Sequence, residues 1–532
     1  MLENYIISLL PANWHPHTNK MQDNDYNRPR RPNTDTLSYL KSLPFNEATA
    51  HKEIEAYIEQ KKKVGTNEDD EDNLDYPQNL SAAISALDEI QNEVASLAGD
   101  EFGSQCLETI TRIAAPYSSV SVRKLLNGIS GYLVHLSTHR FGSHVVQTIL
   151  QNVLRGKHNL NLDDKEICDA LEIDQQNEDE ENPDLPSMKD ILINISEEVM
   201  SVSKELAVHV CGSHVLRSLI CLLSGVEEDL PSHLLNKGGL MEGGGNRRGK
   251  LKGKKKKKKK KIVDTEASSG ILNSASFTNY KIVKDTRFDV HDSNINDCFF
   301  SFIWELTGID FKSLDEEEST EVGDLQQLAC NPSAGPLLIV ILRVLTVAFG
   351  STTSKKSYSH CPEKDDEKSL TEFRLGITKK QIYFEEDSFA ERLVKQILCW
   401  DNSIKDSSKQ EQSGEIIFGL SGEARGSHML ETVLRTSNDV FFNQICQAGR
   451  FLDSDSFREY AEHDVSNFVI QTVLNTVRNR SQAESAIKCV EGIVSNGYVL
   501  DAGNKRRGIF WRVCEMAGEL SLMLPYNITK TF

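Results

Sequence analysis

Nine-residue segments sharing one grammar recur along this chain, and that recurrence restricts the fold more than any other feature. GSQCLETIT begins at Gly103, GSHVVQTIL at Gly142, GSHVLRSLI at Gly212, GSHMLETVL at Gly426 and SNFVIQTVL at Ser466. Gly103 to Gly142 is 39 residues and Gly426 to Ser466 is 40, while the two wider gaps, 70 and 214 residues, hold low-complexity stretches. A period of roughly 35–40 residues is that of stacked helical repeats, where each unit buries its apolar face only against its neighbours. Weaker copies stand at Pro332-Ser-Ala-Gly-Pro-Leu-Leu338, read with Ser333 at its head and Leu337 in its edge position, and near Lys505-Arg-Arg-Gly-Ile-Phe-Trp511.

Each strong copy reads as a helix with two stripes. Polar residues fall at positions one, two and five after the leading residue, and apolar ones at three, four, seven and eight. At 3.6 residues per turn the two sets occupy different faces. Val145, Val146, Ile149 and Leu150 are then core, as are Met429, Leu430, Val433 and Leu434. The polar set is more informative, because a merely solvated face needs no fixed residue types. One copy alone is compatible with an ordinary amphipathic helix. Five with matched polar positions are not, since packing constrains only the apolar set. The repeated set is Ser104, Gln105 and Glu108; Ser143, His144 and Gln147; Ser213, His214 and Arg217; Ser427, His428 and Glu431; and Asn467, Phe468 and Gln471. A flat side chain flanked by a hydrogen-bonding pair suits an unpaired nucleotide: the flat group stacks on the base while the pair reads its edge.

Between the copies the chain changes character. Residues 1–78 form a polar extension punctuated by Pro29, Pro32, Pro44 and Pro77, with one helical piece around His51 to Lys63. From Asn79 apolar residues recur at helical spacing almost to the end, and no alternating strand pattern interrupts them. The expected organisation is repeats over 79–156, an acidic insert over 157–187, a repeat over 188–224, and a Gly/Lys-rich insert over 225–270. Degenerate repeats over 271–350, a charged insert over 351–368 and further repeats over 369–532 complete it. The lysine block Lys254 to Lys261 reads as an address or a non-specific RNA contact.

Other functional classes find little support. The net charge of −19 argues against nucleic acid only if it is evenly spread, and it is concentrated in runs such as Glu68 to Asp72 and Asp315 to Glu318. The eleven cysteines include no C-x-x-C pair, which points to packed thiols in a reducing compartment. MLENYIISLL is a poor secretory signal, and the Leu337 to Phe349 run is too short for a ~20-residue span and contains Arg343, so no membrane role is expected. Gly244-Gly-Asn-Arg-Arg-Gly-Lys250 matches a phosphate-loop start, yet Leu251 stands where the Mg²⁺-holding hydroxyl belongs. The repeated histidines lack neighbouring nucleophiles, and no ligand spacing suits a metal. No catalytic residue, cofactor or metal is expected. Asn527-Ile-Thr529 is a sequon without a secretory route, and Trp400 and Trp511 read as packing residues.

The motif helices closely resemble Pumilio RNA-binding repeats. By that resemblance Asn467/Gln471 with Phe468 is similar to a uracil-reading set, Ser143/Gln147 with His144 to an adenine-reading set, and Ser427/Glu431 with His428 to a guanine-reading one. Arg217 stands where a Gln or Glu belongs, and Gln105 stacks less well than a ring. With LAVHVCGSHVLRSLICLLSG, GEARGSHMLETVL and AEHDVSNFVIQTVL, this order of variants resembles the nucleolar protein nine family of divergent Pumilio-like proteins, over roughly Asn79 to Pro525. The resemblance implies an all-α, curved α-solenoid of about ten Pumilio-like helical repeats with disordered inserts. It further implies a monomer of the nucleolus that binds precursor ribosomal RNA near the boundary of the small-subunit RNA and the first internal spacer. There it would act in small-subunit (18S) maturation, with pre-ribosomal small-subunit particles as partners. Arg140 and Arg425 are expected phosphate contacts. The rival readings are a cytoplasmic Pumilio-type messenger-RNA regulator and a protein-binding scaffold of the HEAT or armadillo sort.

Overall fold

In the computed structural model the described residues are 27–43, 45–64, 76–154, 185–229, 279–283, 286–309, 324–349, 382–400, 407–495, 507–519, 522–525 and 528. The acidic insert as far as residue 184, the block Lys254 to Lys261 and the charged insert 351–368 lie outside them, as do the start of the chain and Asn527 and Thr529 of the sequon. Among the described residues the chain is all-helical apart from one short ladder, and forms a curved α-solenoid of helical repeats.

Two helices lead in, α1 (Thr34–Ser42) and α2 (Glu47–Val64). The Asn33 side chain caps α1, accepting the Asp35 N–H at 3.0 Å. Their apolar residues Leu40, Ala50, Ile54 and Ile58 are fully buried, so this half of the extension is part of the folded body. Its helical piece, expected around His51 to Lys63, is α2.

The repeats then follow as triplets: a backing helix, a short helix, and a helix that carries the recurrent motif. The first three triplets are α3 (Gln78–Ile90), α4 (Val94–Ala98) and α5 (Glu101–Ala114); α6 (Ser119–Ile129), α7 (Leu133–Thr138) and α8 (Gly142–Leu154); and α9 (Met188–Met200), α10 (Ser203–Val208) and α11 (Gly212–Leu223). A ladder of β1 (Val226–Asp229) and β2 (Asn279–Ile282) follows. The fourth triplet is α12 (Ser293–Thr307), α13 (Asp324–Cys330) and α14 (Ala334–Ala348), and the fifth α15 (Phe389–Ile397), α16 (Ser407–Gly422) and α17 (Gly426–Thr436). The sixth is α18 (Asp439–Ala448), α19 (Ser454–Glu462) and α20 (Ser466–Thr476). Finally come α21 (Arg480–Ser495) and α22 (Arg507–Glu519). That makes seven motif helices among the described residues, against the ten or so repeats that the resemblance implies.

The motif helices α5, α8, α11, α14, α17, α20 and α22 pack side by side in that order, while α3, α6, α9 and α12 line up behind the first four. In α8, Val145, Val146, Ile149, Leu150 and Val153 are all 1% exposed or less. Burying each contributes roughly 1.5–3 kcal/mol, so the apolar stripe fixes which face turns inward. Polar ties join successive triplets. The Glu198 carboxylate of α9 accepts the Gly131 N–H at 2.8 Å and the Leu133 N–H at 2.5 Å, closing the N-terminus of α7. Arg123 of α6, itself buried, donates from Nε to the Pro186 carbonyl at 3.0 Å and so fastens the chain where it returns from the acidic insert.

Two outcomes differ from the sequence reading. The chain contains a ladder, antiparallel, pairing Val226 with Ile282 and Glu227 with Lys281, whose side chains form an ion pair at 2.9 Å. Four residues per strand are too few for alternation to register. The ladder brings the start of the Gly/Lys-rich insert beside residues 279–282, just beyond its end. The weak copy at Pro332 also takes a different register, given below. The apolar run from Leu337 is the buried helix α14, and no single helix among the described residues is long and apolar enough to cross a membrane.

Among the nine described cysteines, Cys298, Cys446 and Cys489 are buried. Burial pushes the Cys446 thiol up to about 12, which keeps it a protonated packing group.

Candidate nucleic-acid interface

Six of the seven motif helices, α5, α8, α11, α14, α17 and α20, begin alike because each starts from the same local device. Three residues before the leading position stands a side chain that accepts two backbone N–H groups of the first turn. Asp100 Oδ1 accepts from Phe102 and Gly103 at 2.9 and 2.8 Å, and His139 Nδ1 accepts from Phe141 and Gly142 at 3.4 and 3.3 Å. His209, Asn331, Glu423 and His463 do the same for α11, α14, α17 and α20. An imidazole accepting at Nδ1 carries its proton on Nε2. Burial depresses the pKa of His139 and of His209, with Arg28 adding to the effect at His139. These caps escaped the sequence reading because four residue types share one slot; the shared spacing was the available signal.

Glycine leads most copies for a steric reason. A methyl group on Gly142 would lie 2.9 Å from the Leu136 carbonyl oxygen, and one on Gly103 would lie 2.6 Å from that of Leu97. The motif helix thus crosses the short helix before it backbone to backbone, six residues back along the chain. In the fourth copy the cap at Asn331 puts Ala334 in this slot. Its triplet is therefore Gly335, Pro336 and Ile339, and the register headed by Ser333 and ending in Leu337 is corrected. Leu337 is buried core. No edge-reading side chain results in either register.

Along the wall, the three positions of the triplet behave differently. First-position residues are buried: Ser104, Ser143, Ser213 and Ser427 are 1–2% exposed and Asn467 is 1% exposed. The Ser104 hydroxyl donates back to the Glu101 carbonyl at 3.1 Å and the Ser427 hydroxyl to Ala424 at 3.2 Å. Asn467 Nδ2 donates to the carbonyls of His463 and Asp464 at 2.9 and 2.7 Å. These residues form the floor of the stripe. Second-position residues stand out from it: Gln105, His144, His214 and His428 are exposed, and Phe468 is half-buried. His144 and His214, from successive copies, lie near enough that charge on His144 helps lower the His214 pKa, after burial and Arg217.

Fifth-position residues are each held by a neighbour. Gln147 Nε2 donates to the Ser143 carbonyl at 3.0 Å, and Gln471 Nε2 to Asn467 Oδ1 at 3.1 Å. Glu108 pairs with Arg112 at 2.8 Å. Arg217 reaches His214 Nδ1 at 2.5 Å and donates from Nε to the Ser213 carbonyl at 3.3 Å. Glu431 is the most committed, at 5% exposed. Its Oε2 takes Arg435 at 3.1 Å and the Thr472 hydroxyl at 3.2 Å, while Oε1 lies 3.5 Å from His428 Nδ1. A buried carboxylate needs such partners, and here they come from one turn on and from the next copy.

Between α8 and α11 the stripe deepens into a pocket of about 190 Å³. Gln147, His214 and Arg217 line it together with Glu227 and Tyr280 of the ladder and Val340 of α14. The sequence reading did not include Glu227 and Tyr280, which stand opposite Lys281 and Glu228 in the ladder. Arg140 and Arg425 are exposed at the starts of α8 and α17, with the Arg140 guanidinium 5.4 Å from the Phe141 ring centre. Trp400 packs against Phe441 at 5.4 Å, whereas Trp511 is 65% exposed on α22. Among the described residues no cluster of His, Cys, Asp and Glu is arranged to hold a metal ion.

Comparison with known proteins follows the same lines. The model of the NOP9-like PUF repeat domain matches residues 92–521. Nucleolar protein 9 of Candida albicans is 30% identical over 149 residues, which are 28% of this chain and 20% of that protein. Nucleolar protein 9 of Debaryomyces hansenii is 29% identical over 153 residues, 28% of this chain and 20% of that one. The matched part thus spans about a fifth of the length of these relatives. Among solved structures, APUM23-GGAUUUGACGG is similar at a TM-score of 0.47 and 14% identity, covering 88% of this chain and 64% of that one. The Puf3 RNA binding domain bound to Cox17 RNA is similar at a TM-score of 0.33 and 11% identity, covering 91% and 99%.

Proposed function

Since the chain belongs to the NOP9-like PUF repeat family, we propose that it is a nucleolar RNA-binding protein of ribosome biogenesis. It would bind precursor ribosomal RNA with its motif-helix wall. One observation carries this reading: flat, exposed second-position side chains, His144 and His214 among them, stand in register on adjacent helices of that wall. Unpaired bases stack on such groups at little cost in sequence preference.

The finer assignment is a monomer acting near the boundary of the small-subunit RNA and the first internal spacer, in 18S maturation, with pre-ribosomal small-subunit particles as partners. No catalytic step of its own is involved. Within the wall, Gln105, His144, His214, His428 and Phe468 would stack on bases. Gln147, Arg217 and Gln471 would meet base edges, and Glu108 and Glu431 would do so through what their ion pairs leave free. Ser104, Ser143, Ser213, Ser427 and Asn467 would set how closely a base approaches. Nucleotide-by-nucleotide reading is then confined to a few copies, and contacts to backbone and RNA shape supply the rest.

Crosslinking the tagged chain to RNA in cells and sequencing the bound fragments tests this reading. Reads should gather on precursor ribosomal RNA around the spacer boundary, with the tag in nucleoli. Reads confined to messenger RNA, with a cytoplasmic tag, would overturn it.

A further inference from the structure

The segment Arg28-Pro-Arg-Arg-Pro32 is not part of the repeats, yet it has a fixed place on them. With Leu37 it lines a cleft of about 450 Å³ whose other wall is Ser96, Gly99 and Asp100 at the start of α5, and His135 and His139 before α8. The segment is held from its C-terminal side. The Asn33 N–H and the Thr36 hydroxyl donate to the two oxygens of Glu93, at 3.1 and 3.2 Å. Pro29 and Pro32 restrict the backbone around the arginines. Arg28, Arg30 and Arg31 are all exposed, and none forms an ion pair among the described residues. The one nearby carboxylate in the lining, Asp100, is engaged as the α5 cap.

This cluster lies beside the stripe. Gln105 and His144 follow the caps Asp100 and His139 by five residues, within the first two turns of α5 and α8. In a chain of net charge −19, affinity for a polyanion has to come from local concentrations of cation. Guanidinium groups match phosphate oxygens in a planar, two-pronged geometry.

Resting on the RNA-binding reading above, we infer that Arg28, Arg30 and Arg31 form a phosphate clamp. It grips the backbone of the RNA strand that passes the first two motif helices, and adds affinity without adding sequence preference.

The test is the salt dependence of RNA binding by the full chain, read by fluorescence anisotropy with a fluorescein-labelled 22-nucleotide single-stranded RNA of random sequence. Each phosphate contact to a single strand contributes about 0.7 to the slope of log affinity against log salt. Replacing all three arginines by alanine should therefore flatten the slope by about two. It should weaken binding at low salt by tenfold or more, equally for RNAs of different sequence. Arg28→Lys, Arg30→Lys and Arg31→Lys together should keep most of the slope. Inorganic phosphate at matched ionic strength should compete with the parent protein and not with the alanine variant.

An unchanged slope in a folded alanine variant, or a lysine variant as impaired as the alanine one, would overturn the clamp while leaving the wall's function intact. Failure of the unaltered protein to bind any RNA would overturn both.

Discussion

His428 and Glu431 sit three residues apart in one motif and have opposite relations to the fold. The ring is exposed, whereas the carboxylate is buried against Arg435 and Thr472. His428→Ala should leave urea stability near the parent value and weaken RNA binding by about 1–3 kcal/mol, the usual loss for one base stack. Glu431→Ala should instead lower stability by about 3–5 kcal/mol, because it strands a buried guanidinium. Chemical denaturation followed by circular dichroism separates the two effects. Equal stability loss in both variants would refute the distinction. The capping histidines make a pH prediction. Burial holds the native pKa values of His139 and His209 below the ~6.5 of a free imidazole, so the unfolded chain takes up protons first as pH falls. The stability their caps supply is complete above about pH 6.5 and is lost as pH drops through the native values. Urea midpoints should therefore fall between pH 7.5 and pH 5.5. Replacing both by asparagine, the cap that Asn331 already provides in the fourth copy, should shrink that fall. An undiminished pH dependence in the double variant would show that the caps do not cause it.

At the scale of the element, the motif helix is a crossing of two backbones. Gly142→Ala puts a methyl group against the Leu136 carbonyl oxygen, a contact that must be relieved by separating α7 from α8. Overpacking of this kind costs about 1–3 kcal/mol, so the variant should unfold at a correspondingly lower urea concentration. An unchanged midpoint would mean that the crossing is looser than described. The helices themselves were legible because apolar spacing obeys the 3.6-residue period whatever else the helix does, as Val145, Val146, Ile149 and Leu150 illustrate. What surrounds them was less legible. The caps alternate among Asp, His, Asn and Glu, which are chemically unlike until the backbone N–H groups they accept are seen. The fourth copy was read in the wrong register because Ser333 resembles the first-position serine of the other copies, while the cap at Asn331 puts Ala334 in the leading slot. Glu431 looked like a free edge reader because one of its partners, Thr472, lies 41 residues further on.

At the scale of the whole molecule, the wall proposed to take RNA belongs to a chain of net charge −19. Its acidic runs fall in the sequence between helices, while exposed arginines, Arg140 and Arg425 among them, flank the motif helices. The ladder adds Tyr280 and Glu227 to that wall, from residues whose pairing across the insert no local pattern announces. The solenoid was readable from repetition alone, but this join was not, since it depends on contacts between segments about fifty residues apart. The wall itself is tested most directly by photocrosslinking the full chain to 4-thiouridine-substituted RNA and identifying the crosslinked peptides by mass spectrometry. Crosslinks should fall on the motif helices, at peptides containing His144, His214, His428 or Phe468. Crosslinks confined to the backing helices Met188–Met200 and Ser293–Thr307 would contradict it.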